Sequence, residues 1–236
     1  QPLPDDHILT FALVGNQNSG KTTLFNIISG FEDGFSGHVY FEGKDISKKS
    51  AYRISLNGIG RLFQGRQLMD DLTLLENMKI ASEDLVGEHP LDMFFRARKV
   101  RKSEAEKEKH AVYVLKKVFG NNNKYLNMLD SKASEFSYGE QRLLAMARLL
   151  MGNDRLLLLD EPTSGVNPKY IEVFHRIIRD MVEHEGKTVL LIEHNMSFVR
   201  SVADFCFYLS DGIIVKSGST GQVLEDQEVR NDYLGL

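Results

Sequence analysis

Residues 15–22, GNQNSGKT, match the phosphate-loop pattern GxxxxGK[ST] without a gap. An apolar stretch at residues 11–14 precedes the loop like a buried strand, and a stretch typical of a helix follows it and ends near Gly30. This order of strand, loop and helix is the context that the pattern requires, and it favours a functional loop over a chance glycine-rich turn. In such a loop the backbone N–H groups turn into one concavity, and the positive end of the helix adds attraction for phosphate. The segment therefore predicts a site for a polyphosphate.

Two side chains of this loop carry specific chemistry. The ammonium of Lys21 can reach the β and γ phosphates of a nucleotide as a point charge, and the hydroxyl of Thr22 can ligate Mg²⁺. The residues that we expect to contact the nucleotide in this segment are Gly15, Asn16, Gln17, Asn18, Ser19, Gly20, Lys21, Thr22 and Thr23.

Composition restricts the possible partners. The chain has 236 residues, a formal net charge of -4 and 26% charged residues, which gives no electrostatic argument for a nucleic-acid partner. Its single cysteine, Cys206, excludes an internal disulfide framework and suits a reducing cytosol. The longest apolar runs are far below the ~20 residues of a spanning helix, and the first seven residues lack the features of a signal peptide. We expect no direct membrane insertion.

Three polar residues follow two apolar strands further along the chain. Asp160 and Glu161 come directly after a run of four leucines, and His194 follows the apolar stretch at residues 188–192. The leucine run shows no alternation, which is typical of a central parallel strand covered on both faces. Ligands of open α/β sheets bind at the carboxyl ends of such strands, where Lys21 is also expected. We therefore favour a nucleotide site here over solvated loop acids and a structural histidine.

The middle of the chain is helical and highly charged. Residues 72–135 predict a helical insertion, which opens with the capping-box pattern of Thr73 and Glu76. A basic cluster at residues 96–102 is followed at once by glutamates, which favours a solvated helix face over a nucleic-acid patch. Ser137 and Glu140 begin the next helix, and their spacing fits a structural capping box as well as it fits a catalytic role.

Six segments, taken together, resemble the motifs of the ATP-binding cassette (ABC) family. In chain order they are GNQNSGKTT, RLFQ, FSYGEQ, LLLLDEP, SGVN and IEH. They are similar to the Walker A motif, the Q-loop, the signature, Walker B with its following glutamate, the D-loop and the switch histidine. Six motifs in the family's order and spacing make chance negligible, and the resemblance covers nearly the whole chain.

The resemblance implies an α/β fold with a P-loop NTPase core. It implies a mainly parallel sheet, a small antiparallel β part and an inserted helical subdomain, so we expect a single nucleotide-binding domain over residues 1–236 with the helical part at 72–135. The implied cofactors are ATP and Mg²⁺. The implied ATPase would use Glu161 to polarise water and His194 to contact the γ phosphate.

The resemblance also assigns metal and signature residues. Thr22, Gln64 and Asp160 would support Mg²⁺, and Gln64 would also act in hydrolysis. Ser137, Gly139 and Glu140 would close over the ATP of a second ABC subunit, identical or different, so that the complete site forms in a head-to-tail dimer.

Finer features, such as the helical insert and the closing VRNDYLGL, are most similar to ATPase subunits of bacterial importers for branched-chain amino acids. Urea-type importers and the lipopolysaccharide-export ATPase resemble the chain nearly as well. We expect transmembrane permease partners, a peripheral position on the cytoplasmic face of the inner membrane, and a transported solute that is an amino acid or similar small polar molecule.

Three residues depart from the family pattern. Asn18 replaces the usual loop glycine, Glu140 the signature glutamine and Asn167 the D-loop aspartate. The family's adenine-stacking aromatic residue lies upstream of the first motif, and the chain offers no match for it. We expect hydrolysis to survive these departures, with nucleotide affinity affected.

Two other functions compete with a transporter ATPase. The first motif is also close to that of the GTPase domain of ferrous-iron transporters, although a GTPase needs an NKxD motif and the NK here continues with Tyr125 and Leu126. A soluble ABC ATPase working on DNA or ribosomes usually has coiled-coil insertions or two cassettes, and this chain has one cassette and a short insert.

Overall fold

The computed structural model describes residues 9–16, 18–65, 68–82, 97–120 and 123–234. The chain forms two compact units. The first comprises Gln1–Gln64, Asp154–Ser164 and Phe174–Leu236, and the second comprises Gly65–Asn153 and Gly165–Val173. The predicted helical region at 72–135 falls within the second unit, and its boundaries as a separate inserted subdomain stay a prediction.

The described residues include eight strands, which form two sheets, both in the first unit. The strands are β1 (Thr10–Gly15), β2 (Tyr40–Phe41), β3 (Lys44–Asp45), β4 (Ile59–Leu62), β5 (Leu156–Asp160), β6 (Thr188–Ile192), β7 (Phe205–Ser210) and β8 (Ile213–Ser219). The large sheet has the order β4-β5-β6-β1-β7-β8, and β2 pairs with β3 in a small one. Neighbouring strands in the series β4-β5-β6-β1-β7 pair in parallel. The β7-β8 and β2-β3 pairs are antiparallel. This architecture confirms the predicted sheet composition.

Ten α-helices are described. They are α1 (Lys21–Ile28), α2 (Ala51–Ser55), α3 (Leu74–Ile80), α4 (Ala97–Phe119), α5 (Asn123–Leu126), α6 (Tyr138–Leu149), α7 (Pro168–Glu183), α8 (Met196–Val202), α9 (Thr220–Glu225) and α10 (Gln227–Leu234). A 3₁₀ turn at Ala133–Glu135 precedes α6.

The leucine run forms β5, with a strand on each side. Leu157, Leu158 and Leu159 are 0% exposed, as expected for a parallel strand covered on both faces. The core of the first unit packs Leu158 with Leu13 of β1 and Phe25 of α1. Helix α1 follows the phosphate loop directly. Burial of Phe25 therefore anchors α1 to the core, with the start of the helix at the carboxyl edge of the sheet.

The second unit is built from helices. Helix α4 packs against α3 and α6, and its buried face includes Val114, Leu115 and Val118. Its first turns are mostly exposed and carry ion pairs such as Lys102 Nζ to Glu106 Oε1 at 3.8 Å. This agrees with a solvated helix face for residues 98–102. The sequence predicts that this helix runs from residue 94 to residue 119, but residues 94–96 lie outside the described residues.

Residues 38–41 alternate like a strand, and the sequence therefore predicts one from His38 to Phe41. The strand predicted from His38 to Phe41 is limited to Tyr40–Phe41, because Val39 bonds instead to Ser47 and Ile46 outside a ladder. The sequence also predicts one short amphipathic helix after β8, whereas the structure has two, α9 and α10. The sequence predicts a helix break at residues 121–123; Asn121 and Asn122 lie outside the described residues, and Asn123 begins α5.

Cys206 lies in the large sheet, on the strand between β1 and the edge strand β8. It is on β7, it is 0% exposed, and burial raises the pKa of its thiol to about 12. Among the residues described, no helix is both long and apolar enough to cross a membrane.

Candidate functional site

The phosphate loop has a backbone that only certain residues can adopt. Gly15 has φ 151°, and a Cβ there would lie 2.1 Å from the carbonyl oxygen of Leu209, so only glycine fits. Asn18 has φ 65°, in the left-handed region that asparagine tolerates better than most residues. This conformation explains how Asn18 can stand at a family glycine position. Gln17 lies outside the described residues.

Lys21 is the buried cation of this loop. It is 5% exposed, and its Nζ donates to the carbonyl oxygens of Gly15 and Asn16, both at 2.7 Å, and to Ser19 Oγ at 2.9 Å. Burial lowers the pKa of Lys21, while the charges of Glu161 and Asp160 act in the opposite direction. Asp160 and Glu161 are therefore close enough to Lys21 to affect its pKa electrostatically.

The N-terminus of α1 keeps its backbone donors available. Its N-cap, Gly20, has φ 88° and makes no side-chain cap, and the first turn contains no acidic residue. Thr22 and Thr23 are exposed there. A helix start of this kind suits an anion because the first N–H groups have no partner within the helix.

Asp160 ends β5 as a buried carboxylate. It is 3% exposed, and its Oδ2 accepts from Arg61 Nη2 at 3.0 Å. Arg61 also donates to Asn26 Oδ1 and Ser29 Oγ of the α1 segment, each at 2.8 Å. This arginine was missed in the sequence, where its signal was a charged residue inside the otherwise apolar β4.

Three of the predicted catalytic side chains converge just beyond β5. Glu161 Oε1 lies 3.1 Å from His194 Nε2, and Glu161 Oε2 accepts from Gln64 Nε2 at 2.9 Å. Glu161 has φ 46°, and its N–H donates to Ile192 O of β6 at 2.9 Å. This left-handed turn brings the glutamate out of the strand direction toward the two partners.

A second residue that the sequence reasoning left without a role is Glu193. It is 2% exposed, and its carboxylate accepts hydrogen bonds from Thr163 and from the backbone of His194. Its sequence signal is an acid between a buried strand and the candidate histidine.

The signature residues lie together in the second unit. Ser137 and Glu140 form a capping box at the start of α6, with Ser137 N and Oγ donating to Glu140 Oε2 at 2.9 and 2.7 Å. Glu140 Oε1 accepts from Lys124 Nζ and Tyr125 Oη, both at 2.8 Å. Burial alone would raise the pKa of Glu140, but bonds from Lys124, Ser137 and Tyr125 outweigh it and lower the value to about 2.

Packing explains the glycine of the signature. A Cβ on Gly139 would lie 2.6 Å from the ring of Tyr170, so a larger residue would displace the start of α7. Asn167 caps that helix start, with Oδ1 accepting from Lys169 N at 3.1 Å. Asparagine therefore serves the local turn as an aspartate would.

The oxygen donors expected for Mg²⁺ fit that ion. Within the described parts of the chain, no three His, Cys, Asp or Glu side chains form a metal cluster. Mg²⁺ does not require one, because it keeps several waters and takes one or two carboxylates together with substrate phosphates. Asp160, Thr22 and Gln64 all offer oxygen, and only one oxygen of Asp160, Oδ2, bonds to Arg61.

Comparison with known proteins identifies the family of this chain. Residues 8–164, which carry every motif up to the acids after β5, match the profile of the ABC transporter family. The chain belongs to this family. It is an ABC-type ATPase that binds nucleotide.

Two relatives and two solved structures are similar over most of the chain. The high-affinity branched-chain amino acid transport ATP-binding protein BraF of Pseudomonas aeruginosa is 32% identical, over 95% of this chain and 86% of the relative. A probable branched-chain amino acid transport ATP-binding protein, LivG of Methanocaldococcus jannaschii, is 34% identical, over 94% and 85%.

The solved structures are also ABC cassettes. One, in its ADP conformation, has a TM-score of 0.77 and 33% identity over 98% of this chain and 89% of its own. A nucleotide-free cassette has a TM-score of 0.74 and 33% identity over 97% and 88%. These likenesses confirm the predicted P-loop NTPase fold.

Proposed function

We propose that this ABC ATPase drives a membrane importer for branched-chain amino acids or similar small amino-acid solutes. It would act as a peripheral subunit on the cytoplasmic face of the inner membrane, with transmembrane permease subunits as partners. The names of relatives such as BraF and LivG support the solute class, at 27% to 35% identity. A lipopolysaccharide-export type of transporter remains the alternative. The match to the ABC transporter family argues against the GTPase alternative.

The phosphate-loop end of the site would hold the triphosphate. Lys21 would release its three loop oxygens and donate to the β and γ phosphates, which are stronger acceptors because they are charged. The open N-terminus of α1 would add backbone donors and its positive dipole end.

Glu161 would act as the group that orients and polarises the attacking water. His194 and Gln64 contact its two carboxylate oxygens, one each, and thereby set the direction in which the carboxylate faces. His194 would also donate to the γ phosphate. Such general-base assistance typically contributes about 10²- to 10⁴-fold in rate.

Thr22, Gln64 and Asp160 are the residues that would support Mg²⁺. When bound, Mg²⁺ would supply positive charge that offsets the negative charge developing on the phosphates. Arg61 holds one oxygen of Asp160, so the aspartate would turn its other oxygen toward the ion or its water shell. The contacts of Asp160 and Gln64, the exposed position of Thr22 at the start of α1 and the family resemblance support these roles.

The signature residues Ser137, Gly139 and Glu140 would contact the ATP bound to a second cassette. Ser137 and Tyr138 are exposed at the start of α6, which is the kind of surface such a contact needs. Association around ATP and separation after hydrolysis would couple the chemistry to the permease, because ATP would bind the paired state more tightly than the open one.

The observation that carries this proposal is the meeting of Glu161 with His194 and Gln64 beside Lys21. We predict that Glu161→Gln lowers ATP turnover by about 10²-fold or more while ATP affinity stays within twofold. ATP should then accumulate a dimer, which gel filtration with light scattering would detect.

The matched control is Glu172→Gln, the same change at an exposed position of α7. It should turn over ATP at the wild-type rate and remain a monomer under the same conditions. Wild-type turnover by Glu161→Gln would remove Glu161 from the mechanism. Binding of GTP in clear preference to ATP would contradict the assignment as an ATPase.

A further inference from the structure

Glu193 connects the two loops that carry the proposed catalytic pair. One loop follows β5 and contains Glu161 and Thr163; the other follows β6 and contains His194 and Asn195. Glu193 Oε1 accepts from Thr163 N at 2.9 Å and from Thr163 Oγ1 at 2.5 Å. Its other oxygen, Oε2, accepts from His194 N at 2.9 Å and Asn195 N at 3.2 Å.

Each carboxylate oxygen therefore serves one loop. The same carboxylate bridges the loops two residues from Glu161 on one side and next to His194 on the other. It is 2% exposed, and all four of these donors are neutral N–H or O–H groups. A buried carboxylate satisfied in this way has no free lone pair directed at a substrate, so its effect must pass through its neighbours.

The chemistry requires a carboxylate rather than an amide. Glutamine has nearly the same shape, but one of its two head-group atoms is an NH₂ donor. In Glu193→Gln that donor must face either Thr163 or the N–H groups of His194 and Asn195, so one loop loses its acceptor. Leaving buried donors unpaired disfavours the native loop spacing.

We propose that Glu193 is a positioning residue that sets the distance between Glu161 and His194. It does so by holding the backbone of both loops, and Asn195 extends the effect to α8 because its Oδ1 accepts from Phe198 N at 3.1 Å. This inference rests on the proposed roles of Glu161 and His194 in hydrolysis.

The test is a double-mutant cycle between Glu193→Gln and Glu161→Gln, measured as single-turnover ATP cleavage together with ATP affinity. Glu193→Gln should lower the cleavage rate about 10- to 100-fold, as small misplacements of reacting groups do. ATP affinity should stay within twofold because the phosphate loop lies on other elements. In the Glu161→Gln background, Glu193→Gln should change the remaining rate less than twofold.

Two further variants complete the design. Thr163→Val removes only the hydroxyl donor, so it should slow ATP cleavage by a smaller factor than Glu193→Gln does. This variant provides the test if Glu193→Gln does not fold. Asp204→Asn is the matched control. This carboxylate also accepts a backbone hydrogen bond, from Thr10 N at 2.8 Å, but it precedes β7 and so lies at the opposite edge of the parallel sheet. The Asp204→Asn variant should cleave ATP at the wild-type rate.

The outcomes separate the two proposals. Wild-type cleavage by Glu193→Gln, an equal fold loss in both backgrounds, or a parallel loss of ATP affinity would overturn the inference about Glu193. If Glu161→Gln itself cleaves ATP at the wild-type rate, the proposed role of Glu161 fails, and the role of Glu193 fails with it.

Discussion

Two helix starts in this protein are expected to meet phosphate, and they are built in opposite ways. Helix α1 begins at Gly20 without a side-chain cap and without an acid in its first turn. Helix α6 begins at Ser137 and carries Glu140 in its first turn, so that a carboxylate bonds to the N-cap residue. Helix α1 therefore leaves its first backbone N–H groups available to a ligand, whereas the start of α6 is capped by side chains of the protein itself.

The difference teaches that a helix N-terminus alone does not define an anion site. At α6 the negative charge of Glu140 would oppose an approaching phosphate, and the ammonium of Lys124 at 2.8 Å offsets that charge. At α1 no such compensation is needed, because the only charged side chain there, Lys21, is positive. We expect α1 to dominate ATP affinity and α6 to act mainly on the dimer.

Among changes at the two helix starts, the largest effect should come from Lys21→Ala. Losing the ammonium should weaken ATP binding roughly 10- to 100-fold, because hydrogen bonds to charged groups contribute about 1.5–3 kcal/mol. Isothermal titration with ATP would measure it. Lys44→Ala, on the exposed strand β3, is the control and should bind like the wild type. Equal affinity of both variants would mean that the loop lysine does not bind phosphate.

A smaller effect is expected from Ser137→Ala. Losing the N-cap should lower the free energy of unfolding by about 1–2 kcal/mol, as measured by urea denaturation. ATP affinity of the monomer should not change, but ATP-dependent dimerisation and turnover should fall.

Thr73→Ala provides the matched control, because Thr73 and Glu76 form the same capping box at α3. It should lose a similar amount of stability and keep its turnover. If both variants lose turnover equally, the comparison between the helix starts fails, since Ser137 would then act only through stability.

The smallest effect should be the contribution of Glu140 to the pH dependence of stability. Its folded pKa of about 2 lies below the ordinary 4.5, so its stabilising contribution is present above pH 4.5 and is lost as the pH falls toward 2. At pH 7 Glu140→Gln should be less stable than the wild type by about 1 kcal/mol, and the difference should vanish near pH 2. Urea denaturation of both proteins across this pH range would measure it.

Glu76→Gln controls for capping in general. The pKa of Glu76 is also lowered, mainly by the backbone hydrogen bond from Thr73, but this side chain is exposed. Its pH-dependent difference from the wild type should therefore be smaller. A stability difference for Glu140→Gln that persists at pH 2 would show that the carboxylate charge of Glu140 is not its source.

The sequence predicted those features that depend on neighbours in the chain. The leucine strand β5, the strand and helix that flank the predicted phosphate loop, and both capping boxes are confirmed, because each is determined within a few residues. The fold class is confirmed too, since six ordered motifs specify one architecture.

What the sequence did not predict depends on contacts between distant segments. Arg61 and Asp160 are 99 positions apart, and Thr163 and Glu193 are 30 apart. Periodicity shows that a strand is buried, but it does not show which strand lies beside it or which side chains meet there. The order β4-β5-β6-β1 creates both contacts, and only the fold supplies that order.

Cys206 has a practical consequence. Thiol reagents attack the thiolate, and a sulfhydryl enclosed within a sheet with a pKa near 12 remains protonated and shielded at neutral pH. Because it is the sole cysteine in the sequence, a cysteine introduced on the surface would be the position that a maleimide dye modifies in the folded protein. Fluorescent reporters of subunit association could thus be attached without first replacing the native residue.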